Sequence, residues 1–269
     1  MTTQTTTETV IRPAVDRLVP LRVLYRLPLL LLHIFIALPP TLLVTAYGQK
    51  RSGAAWRRAQ RWAGWWSGKA LWIFGFRVRV EGEPAPDPVV FVANHLNWAD
   101  IELIHSHRLA SFVAKAEISK WPLVGYMAKA GGSVFHQRGR HDSLARVTAA
   151  IRERLEADRS VALFPEGRTG PGRPVLPFHG RLLQAAIETR TPLQPVAIGY
   201  YRAGEWSDGI AFRAGESFGA SLVRLLGQPP TEALLHFLPT RVPADEGRSA
   251  LARWARDQVV TVVDPDNRR

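Results

Sequence analysis

The stretch Val89-Val90-Phe91-Val92-Ala93-Asn94-His95-Leu96-Asn97-Trp98-Ala99-Asp100 joins a short apolar run to a polar turn. Five consecutive apolar residues, three of them valine, are typical of a strand that is buried on both faces of a parallel sheet. Polar residues follow the run directly. Because sites in open α/β sheets gather at the carboxyl ends of strands, this stretch predicts both the fold class and the position of a site.

His95 and Asp100 form the pair in this stretch that carries chemistry. An imidazole that donates one N–H to a carboxylate is held in a single tautomer, so its second nitrogen can accept a proton near neutral pH. Such a pair can activate a hydroxyl group. The spacing alone is a weak signal, because a histidine and an aspartate recur at this distance by chance.

Outward from this stretch, short apolar runs alternate with helical patterns, which is typical of an α/β domain. We predict strands at 77–80, 89–93, 111–114, 133–137, 161–164 and 193–200, and edge strands at 210–213 and 233–239. We predict helices at 101–107, 117–129, 143–157, 181–189 and 244–263.

The composition narrows the classes of protein. A chain of 269 residues is long enough for one large domain or two small ones, and we expect one domain with an appendage. Its formal charge of +12 predicts attraction to an anion: a nucleic acid, a phospholipid surface or a phosphorylated substrate. The absence of cysteine excludes disulfides, thiolate metal sites and a cysteine nucleophile.

The N-terminal part of the chain reads as a polar tail followed by an apolar segment. Residues 1–18 are predicted to be a disordered polar tail. Residues 27–49 contain no charged residue, and the length of this segment is just sufficient to cross a bilayer core. Prolines at 28, 39 and 40 disfavour one straight helix. We therefore expect two short helices in a re-entrant hairpin, with a true membrane span as the alternative.

The following segment is rich in tryptophan. Aromatic and apolar residues recur at helical spacing after an arginine-rich start, at Trp62, Trp65, Trp66, Trp72, Ile73 and Phe76. Tryptophan prefers the bilayer boundary, and arginine meets anionic headgroups there, so the pattern predicts an interfacial helix. The alternative is a helix that packs its aromatic stripe on the core.

Two further polar clusters follow predicted strands. Phe164-Pro165-Glu166-Gly167-Arg168-Thr169 combines a glycine, whose backbone N–H can approach an anion, with an arginine fork that matches phosphate oxygens. Gly131-Gly132-Ser133-Val134-Phe135-His136-Gln137-Arg138 also ends in an arginine. Both clusters suit a phosphate site.

Taken together, these blocks resemble those of the lysophosphatidic acid acyltransferases, the bacterial branch of the glycerolipid acyltransferases. His95 and Asp100 fit the family's Asn-His-x4-Asp motif, and Gly132 to Arg138, Phe164 to Gly167 and Leu193 to Ile198 resemble the next three blocks in order. Lys115 lies in a segment similar to one that supplies a lysine to the substrate phosphate. The resemblance covers roughly 77–200 and implies a mixed, largely parallel sheet flanked by helices, with an N-terminal membrane-associated helix pair.

The chain departs from the family pattern at two places. Arg168 precedes Thr169, whereas the family usually has threonine before arginine, and His179 stands where many members have lysine, with Arg181 close by. Either change is consistent with a headgroup other than a plain phosphate.

The resemblance also implies a reaction and its residues. His95 takes the proton from a lysolipid hydroxyl and Asp100 orients it, while Lys115, Arg138, Glu166, Gly167 and Arg168 bind the substrate. The expected reaction turns 1-acylglycerol-3-phosphate into phosphatidic acid; acylation of another lysolipid, such as a lyso-ornithine lipid or lysophosphatidylcholine, is the alternative. The donor would be acyl-CoA or acyl carrier protein, with no metal or other cofactor.

The resemblance implies a place in the cell as well. We expect the protein at a membrane phospholipid surface, the cytoplasmic side of the inner membrane, with membrane-associated helices at 19–76, a catalytic domain at 77–243 and a C-terminal helix and tail at 244–269. A non-catalytic basic module that binds a membrane or a nucleic acid is the rival from another class, although the apolar segment disfavours nucleic acid, and a lysolipid hydrolase is a third possibility.

Overall fold

The structure, a computed structural model, describes residues 16–136, 141–244, 246–264 and 266. Its helices are α1 Val19–Leu32, α2 Leu38–Gln49, α3 Ala54–Ile73, α4 Ala99–His105, α5 Val124–Ala130, α6 His141–Glu156, α7 Gln184–Thr189, α8 Phe218–Gly227 and α9 Arg248–Val263. Its strands are β1 Phe76–Glu81, β2 Val90–Ala93, β3 Ser111–Lys115, β4 Val134–His136, β5 Val161–Leu163, β6 Leu193–Arg202, β7 Glu205–Trp206 and β8 Thr231–Phe237.

The strands form one sheet in the order β1-β8-β6-β2-β5-β3-β4, with β7 paired to β6. Neighbouring strands are parallel except where β6 pairs with β8 and with β7. This confirms the mixed, largely parallel sheet. Since β2, β5, β3 and β4 are adjacent and parallel, their carboxyl ends lie side by side along one edge of the sheet.

Strand β2 shows why its sequence is apolar without alternation. Val90 and Val92 pack into the core on one face of the sheet, whereas Phe91 and Ala93 pack into the core on the other face. Helix α9 contributes to the first of these cores through Leu251 and its neighbours. The strand therefore reaches the site with no freedom to shift its register.

Two of the predicted elements are wrong, and one helix was missed. Residues 210–213 are not a strand, because a 3₁₀ turn at Asp208–Ile210 leads into a loop. The strand predicted at 233–239 is not at an edge, since β8 pairs with β1 on one side and β6 on the other. Helix α8 was not predicted, although Ser217 is a typical N-cap whose hydroxyl accepts a hydrogen bond from the Ala220 N–H.

The apolar N-terminal segment is one helix, so the predicted break at its prolines is wrong. Residues Val19–Gln49 form a continuous helical run of 31 residues that is long and apolar enough to cross a membrane. A π-helical stretch at His33–Ala37 precedes Pro39 and Pro40, which lie in the first turn of α2, where proline is tolerated. The helix pair is instead made by α2 and α3, which pack together across the turn at 50–53.

Two arginines fix α1 to the end of α8. The guanidinium of Arg26, which is buried, donates hydrogen bonds to the carbonyls of Leu226 and Gln228, and that of Arg22 donates to the carbonyl of Gly227. These carbonyls lie at the C-terminal end of α8, where the helix dipole favours a positive charge. One face of α1 is therefore held by the domain.

Candidate active site

The polar residues that follow four neighbouring strands lie along the same edge of the sheet. His95 follows β2, Glu166 follows β5, and Lys115 and His136 end β3 and β4. Lys115 pairs in register with His136. With strands about 4.8 Å apart, the end of β3 is roughly 10 Å from the end of β2. The clusters that contain His95 and Glu166, each placed after a predicted strand, therefore lie next to each other, as their positions in the sequence led us to expect.

Asp100 is the most tightly held group at this edge. Its Oδ2 accepts hydrogen bonds from His95 Nδ1 at 2.9 Å and from the backbone N–H groups of Leu96 and Asn97 at 2.7 and 2.9 Å. Its Oδ1 accepts one from the hydroxyl of Tyr200 at 2.6 Å. The carboxylate is fully buried in the first turn of α4, where the helix dipole favours a negative charge. Four donors hold it as an ionised acceptor.

His95 is oriented by this carboxylate. Because an ionised Asp100 can only accept, Nδ1 of His95 carries the proton and Nε2 keeps its lone pair. Nε2 has no hydrogen-bond partner among the described residues. The imidazole stacks on Phe164 with ring centroids 3.9 Å apart, and its side chain is 17% exposed. It is thus a fixed base with one nitrogen open to a ligand.

The turn that carries His95 is fixed from three sides. Asn94 exchanges two hydrogen bonds with the backbone of Ile198, at 2.8 and 2.9 Å, which continue the β2–β6 ladder through a side chain. The carbonyl of His95 accepts from Gly170 N–H, and the amide of Asn97 donates to the carbonyl of Ile210. These hydrogen bonds fix the backbone of the turn, so the imidazole of His95 keeps its position beside Asp100.

Glu166 is buried beside this pair. Neither of its carboxyl oxygens has a hydrogen-bond partner of good geometry among the described residues. Burial raises the pKa of Glu166 to about 8, the charge of Asp100 adds to the rise, and the backbones of His95 and Leu176 oppose it. Glu166 is therefore protonated near neutral pH and offers an O–H donor rather than a negative charge.

The raised pKa of Glu166 predicts a pH-dependent stability. Since the folded chain holds this proton more tightly than the unfolded chain, the free energy of unfolding should fall as pH rises from about 4.5 to about 8. Glu166→Gln cannot ionise and should be more stable than the natural chain by a few kcal/mol at pH 8, with little difference near pH 5. Urea unfolding in micelles over this range measures both curves. Parallel curves would contradict the assignment; the exposed Glu153→Gln is the control.

The remaining residues predicted to bind substrate lie near the same edge or outside the described residues. Lys115 and Arg168 are exposed, and Gly167 has a positive φ of 70° in open space. Arg138 lies outside the described residues, directly after β4. His179 and Arg181 are both exposed. Among the described residues no three metal-ligating side chains cluster together.

Sequence reasoning missed two residues of the site, Tyr200 and Phe164. Tyr200 is fully buried at the end of β6, and both its burial and the charge of Asp100 raise its pKa, so that it remains a donor. Its partner is 100 positions away along the chain. Phe164 was assigned only to the glycine-containing cluster, and nothing in the sequence signals that its ring covers His95.

Comparisons with known proteins agree with this geometry. Residues 77–199 match the family model described as Acyltransferase. The chain is 35% identical over 200 residues to the lyso-ornithine lipid O-acyltransferase of Pseudomonas aeruginosa, across 74% of this chain and 77% of that protein. It is 37% identical over 123 residues to the 1-acyl-sn-glycerol-3-phosphate acyltransferase of Neisseria meningitidis, across 45% and 48%.

A solved structure shows the same fold. The crystal structure of the 1-acyl-sn-glycerophosphate acyltransferase of Thermotoga maritima superposes with a TM-score of 0.68 at 22% identity, over 93% of this chain and 96% of that one. The match includes the N-terminal helices because it covers nearly the whole chain. The chain belongs to the lysophosphatidic acid and lysolipid acyltransferase family, and it is an O-acyltransferase.

Proposed function

We propose that His95 is the general base of this acyl transfer. Nε2 of His95 takes the proton from the free hydroxyl of a lysolipid, and the oxygen attacks the carbonyl carbon of an acyl thioester. As the C–S bond breaks, the new ester forms and the imidazolium returns its proton to the thiolate. The observation that carries the proposal is the His95–Asp100 hydrogen bond with Nε2 left open.

The donor is a fatty acyl thioester of coenzyme A or of acyl carrier protein. A thioester needs no metal and no second activating group, and its transfer to an oxygen requires no acylated residue. A base contributes about 10²- to 10⁴-fold, so positioning of the two lipids supplies much of the remainder.

We further propose that the acceptor is a lyso-ornithine lipid. The similarity to two lyso-ornithine lipid acyltransferases runs over 74% and 70% of this chain. Two other enzymes of that name match 50% and 48% of it, and 1-acyl-sn-glycerol-3-phosphate acyltransferases match 45% and 48%. The order Arg168-Thr169 and the histidine at 179 also depart from the glycerol phosphate pattern. The second candidate is 1-acylglycerol-3-phosphate, favoured by the exposed cations Lys115 and Arg168 at the same end of the sheet as the base.

A panel of acceptors tests this proposal. Purified protein in mixed micelles is offered lyso-ornithine lipid, 1-acylglycerol-3-phosphate or lysophosphatidylcholine with one labelled acyl donor, and products are identified by mass spectrometry. We expect the highest kcat/KM for lyso-ornithine lipid. A higher value for 1-acylglycerol-3-phosphate would select the second candidate, and release of free fatty acid without a diacyl product would contradict acyl transfer.

Lys115→Ala is expected to weaken the binding of an anionic acceptor. One charge-assisted contact at an exposed site accounts for about 1.5 kcal/mol, so the KM for an acceptor with a net anionic headgroup should rise about tenfold while kcat changes little. The KM for lysophosphatidylcholine should change less. Lys120→Ala, an exposed lysine in the neighbouring 3₁₀ turn, is the matched control. Equal effects on both acceptors would argue against a headgroup contact.

The N-terminal helices form the surface that associates with the membrane. Large apolar side chains are exposed on α1, on the π-helical stretch, on α2 and on the tryptophan-rich face of α3, including Leu24, Phe35, Leu43, Trp65 and Trp72. Since Arg22 and Arg26 bind α1 to the domain, we propose that these helices lie in the cytoplasmic face of the inner membrane rather than span it. The exposed tryptophans fit the bilayer boundary.

A further inference from the structure

A cationic pocket lies at the amino-terminal ends of the strands, away from the carboxyl ends that His95 follows. It opens at the amino ends of β4 and β5, beside Gly132 and Arg159, whereas the catalytic pair follows the carboxyl end of β2. Its volume is about 280 Å³, and its walls come from α2, α5 and α6. A pocket of this size holds a small headgroup rather than a whole lipid.

Four basic side chains line this pocket: Lys50, Lys129, Arg154 and Arg159. None of the described residues that line it is acidic. Lys50 and Lys129 are exposed and form no ion pair with any described residue. Arg154 lies 3.9 Å from the exposed Glu153, which neutralises it only in part. No acidic side chain in the lining therefore offsets this charge, and the carboxylates of Asp87 and Asp158 act on Arg159 only from outside the lining.

Arg159 is the fixed centre of the pocket. Only 5% of the residue is exposed, its guanidinium stacks on Trp56 at 4.1 Å, and its Nη atoms donate to backbone carbonyls that include that of Gly48. Its Nε is buried and has no partner among the described residues. An unpaired buried donor is costly, and an anion in the pocket would satisfy it.

The partly buried Asp87 does not fill this role. Asp87 acts on Arg159 electrostatically, but it does not line the pocket. Its oxygens already accept hydrogen bonds from Trp56, Gln60 and Ser160.

The helices that line the pocket also expose apolar groups outside it. Leu43 and Tyr47 on α2 are exposed, as are Leu123 just before α5 and Tyr126 within it. We infer that this pocket is a second anion site that binds a phosphate group, either the headgroup of an anionic phospholipid or a free phosphate. It is distinct from the acceptor site because it lies at the other end of the same strands.

Inorganic phosphate tests the pocket directly. The full chain in nonionic detergent is unfolded by heat in phosphate or in chloride of equal ionic strength and pH, in a Lys115→Ala background that removes a cation at the catalytic edge. We expect phosphate to raise the unfolding midpoint. The double variant Lys50→Ala with Lys129→Ala should weaken the apparent phosphate affinity about tenfold. Arg248→Ala with Arg253→Ala, two exposed residues on α9, removes the same charge and should change nothing.

Vesicles distinguish the two sources of phosphate. The chain is extracted from phosphatidylcholine vesicles made with or without phosphatidylglycerol, and native mass spectrometry counts the lipids it retains. If the chain retains phosphatidylglycerol and the Lys50/Lys129 variant does not, the ligand is a lipid headgroup. If phosphate raises the unfolding midpoint but no lipid is retained, the ligand is a soluble phosphate. The inference is overturned when neither appears, when the α9 variant loses as much, or when the Lys50/Lys129 variant reaches the same shift at the same phosphate concentration.

Discussion

Replacing His95 with alanine is expected to lower kcat for acyl transfer by about 10²- to 10⁴-fold, which is the usual contribution of a positioned general base. The imidazole of His95 is held in one tautomer by Asp100 and has an open nitrogen, so it can accept the proton of a hydroxyl group. The KM values for both lipids should change little, because the headgroup cations and the apolar surfaces remain. Initial rates with saturating acceptor and donor measure this effect.

Two controls separate a chemical loss from a structural one. His107→Ala removes an exposed histidine just beyond α4 and should keep the rate of the natural chain. The His95→Ala chain should still sediment with phospholipid vesicles in high salt and be released by detergent, as expected for association through apolar side chains rather than charge. Retained turnover in the His95 variant would reject the catalytic assignment.

Much of the fold could be predicted because the sheet is parallel at its centre. Strands buried on both faces read as unbroken apolar runs, and the predicted runs at 89–93 and 161–164 became β2 and β5 within one residue at either end. Polar residues placed directly after such runs must meet at one edge of the sheet. The grouping of His95 with Glu166 follows from that topology alone.

The errors arise where tertiary contacts outweigh local pattern. The prolines of the N-terminal segment would break an isolated helix, but Pro39 and Pro40 fall in a first turn after a π-helical stretch. Strand β8 looks like an edge strand because its pattern does not show that the last strand of the chain inserts between β1 and β6. The position of β8 between two strands depends on the strand order of the whole sheet, and the sequence of β8 itself does not indicate it.

The fine structure of the site could not be read from the sequence for a similar reason. The motif indicates that Asp100 orients His95, but the donors that hold Asp100 in place include Tyr200, which arrives from β6. The stacking of Phe164 on the imidazole likewise depends on β5 lying beside β2. Both contacts join residues that are distant in the chain and adjacent in the sheet.

Asp100→Asn is expected to lower kcat by up to about 10⁴-fold. The carboxylate accepts hydrogen bonds through both oxygens, and an amide cannot do so. Four donors point at Asp100, whereas an asparagine offers one oxygen and an N–H₂ group that must face at least one of those donors. The amide lacks the negative charge that stabilises the imidazolium of His95, and an N–H₂ group that faces Nδ1 favours the tautomer in which Nδ1 accepts and Nε2 carries the proton. In that tautomer the nitrogen facing the acceptor cannot take a proton.

The same argument predicts a cost in stability and supplies the control for Asp100→Asn. Each buried donor left without an acceptor costs about 1 to 3 kcal/mol, so the Asp100→Asn chain should unfold at lower urea concentration. Tyr200→Phe removes a single donor and leaves the carboxylate and the His95 tautomer intact, so it should be destabilised to a similar degree while losing far less activity. Comparable losses of kcat in the two variants would show that stability, rather than the tautomer of His95, determines the rate, and would contradict the orienting role of Asp100.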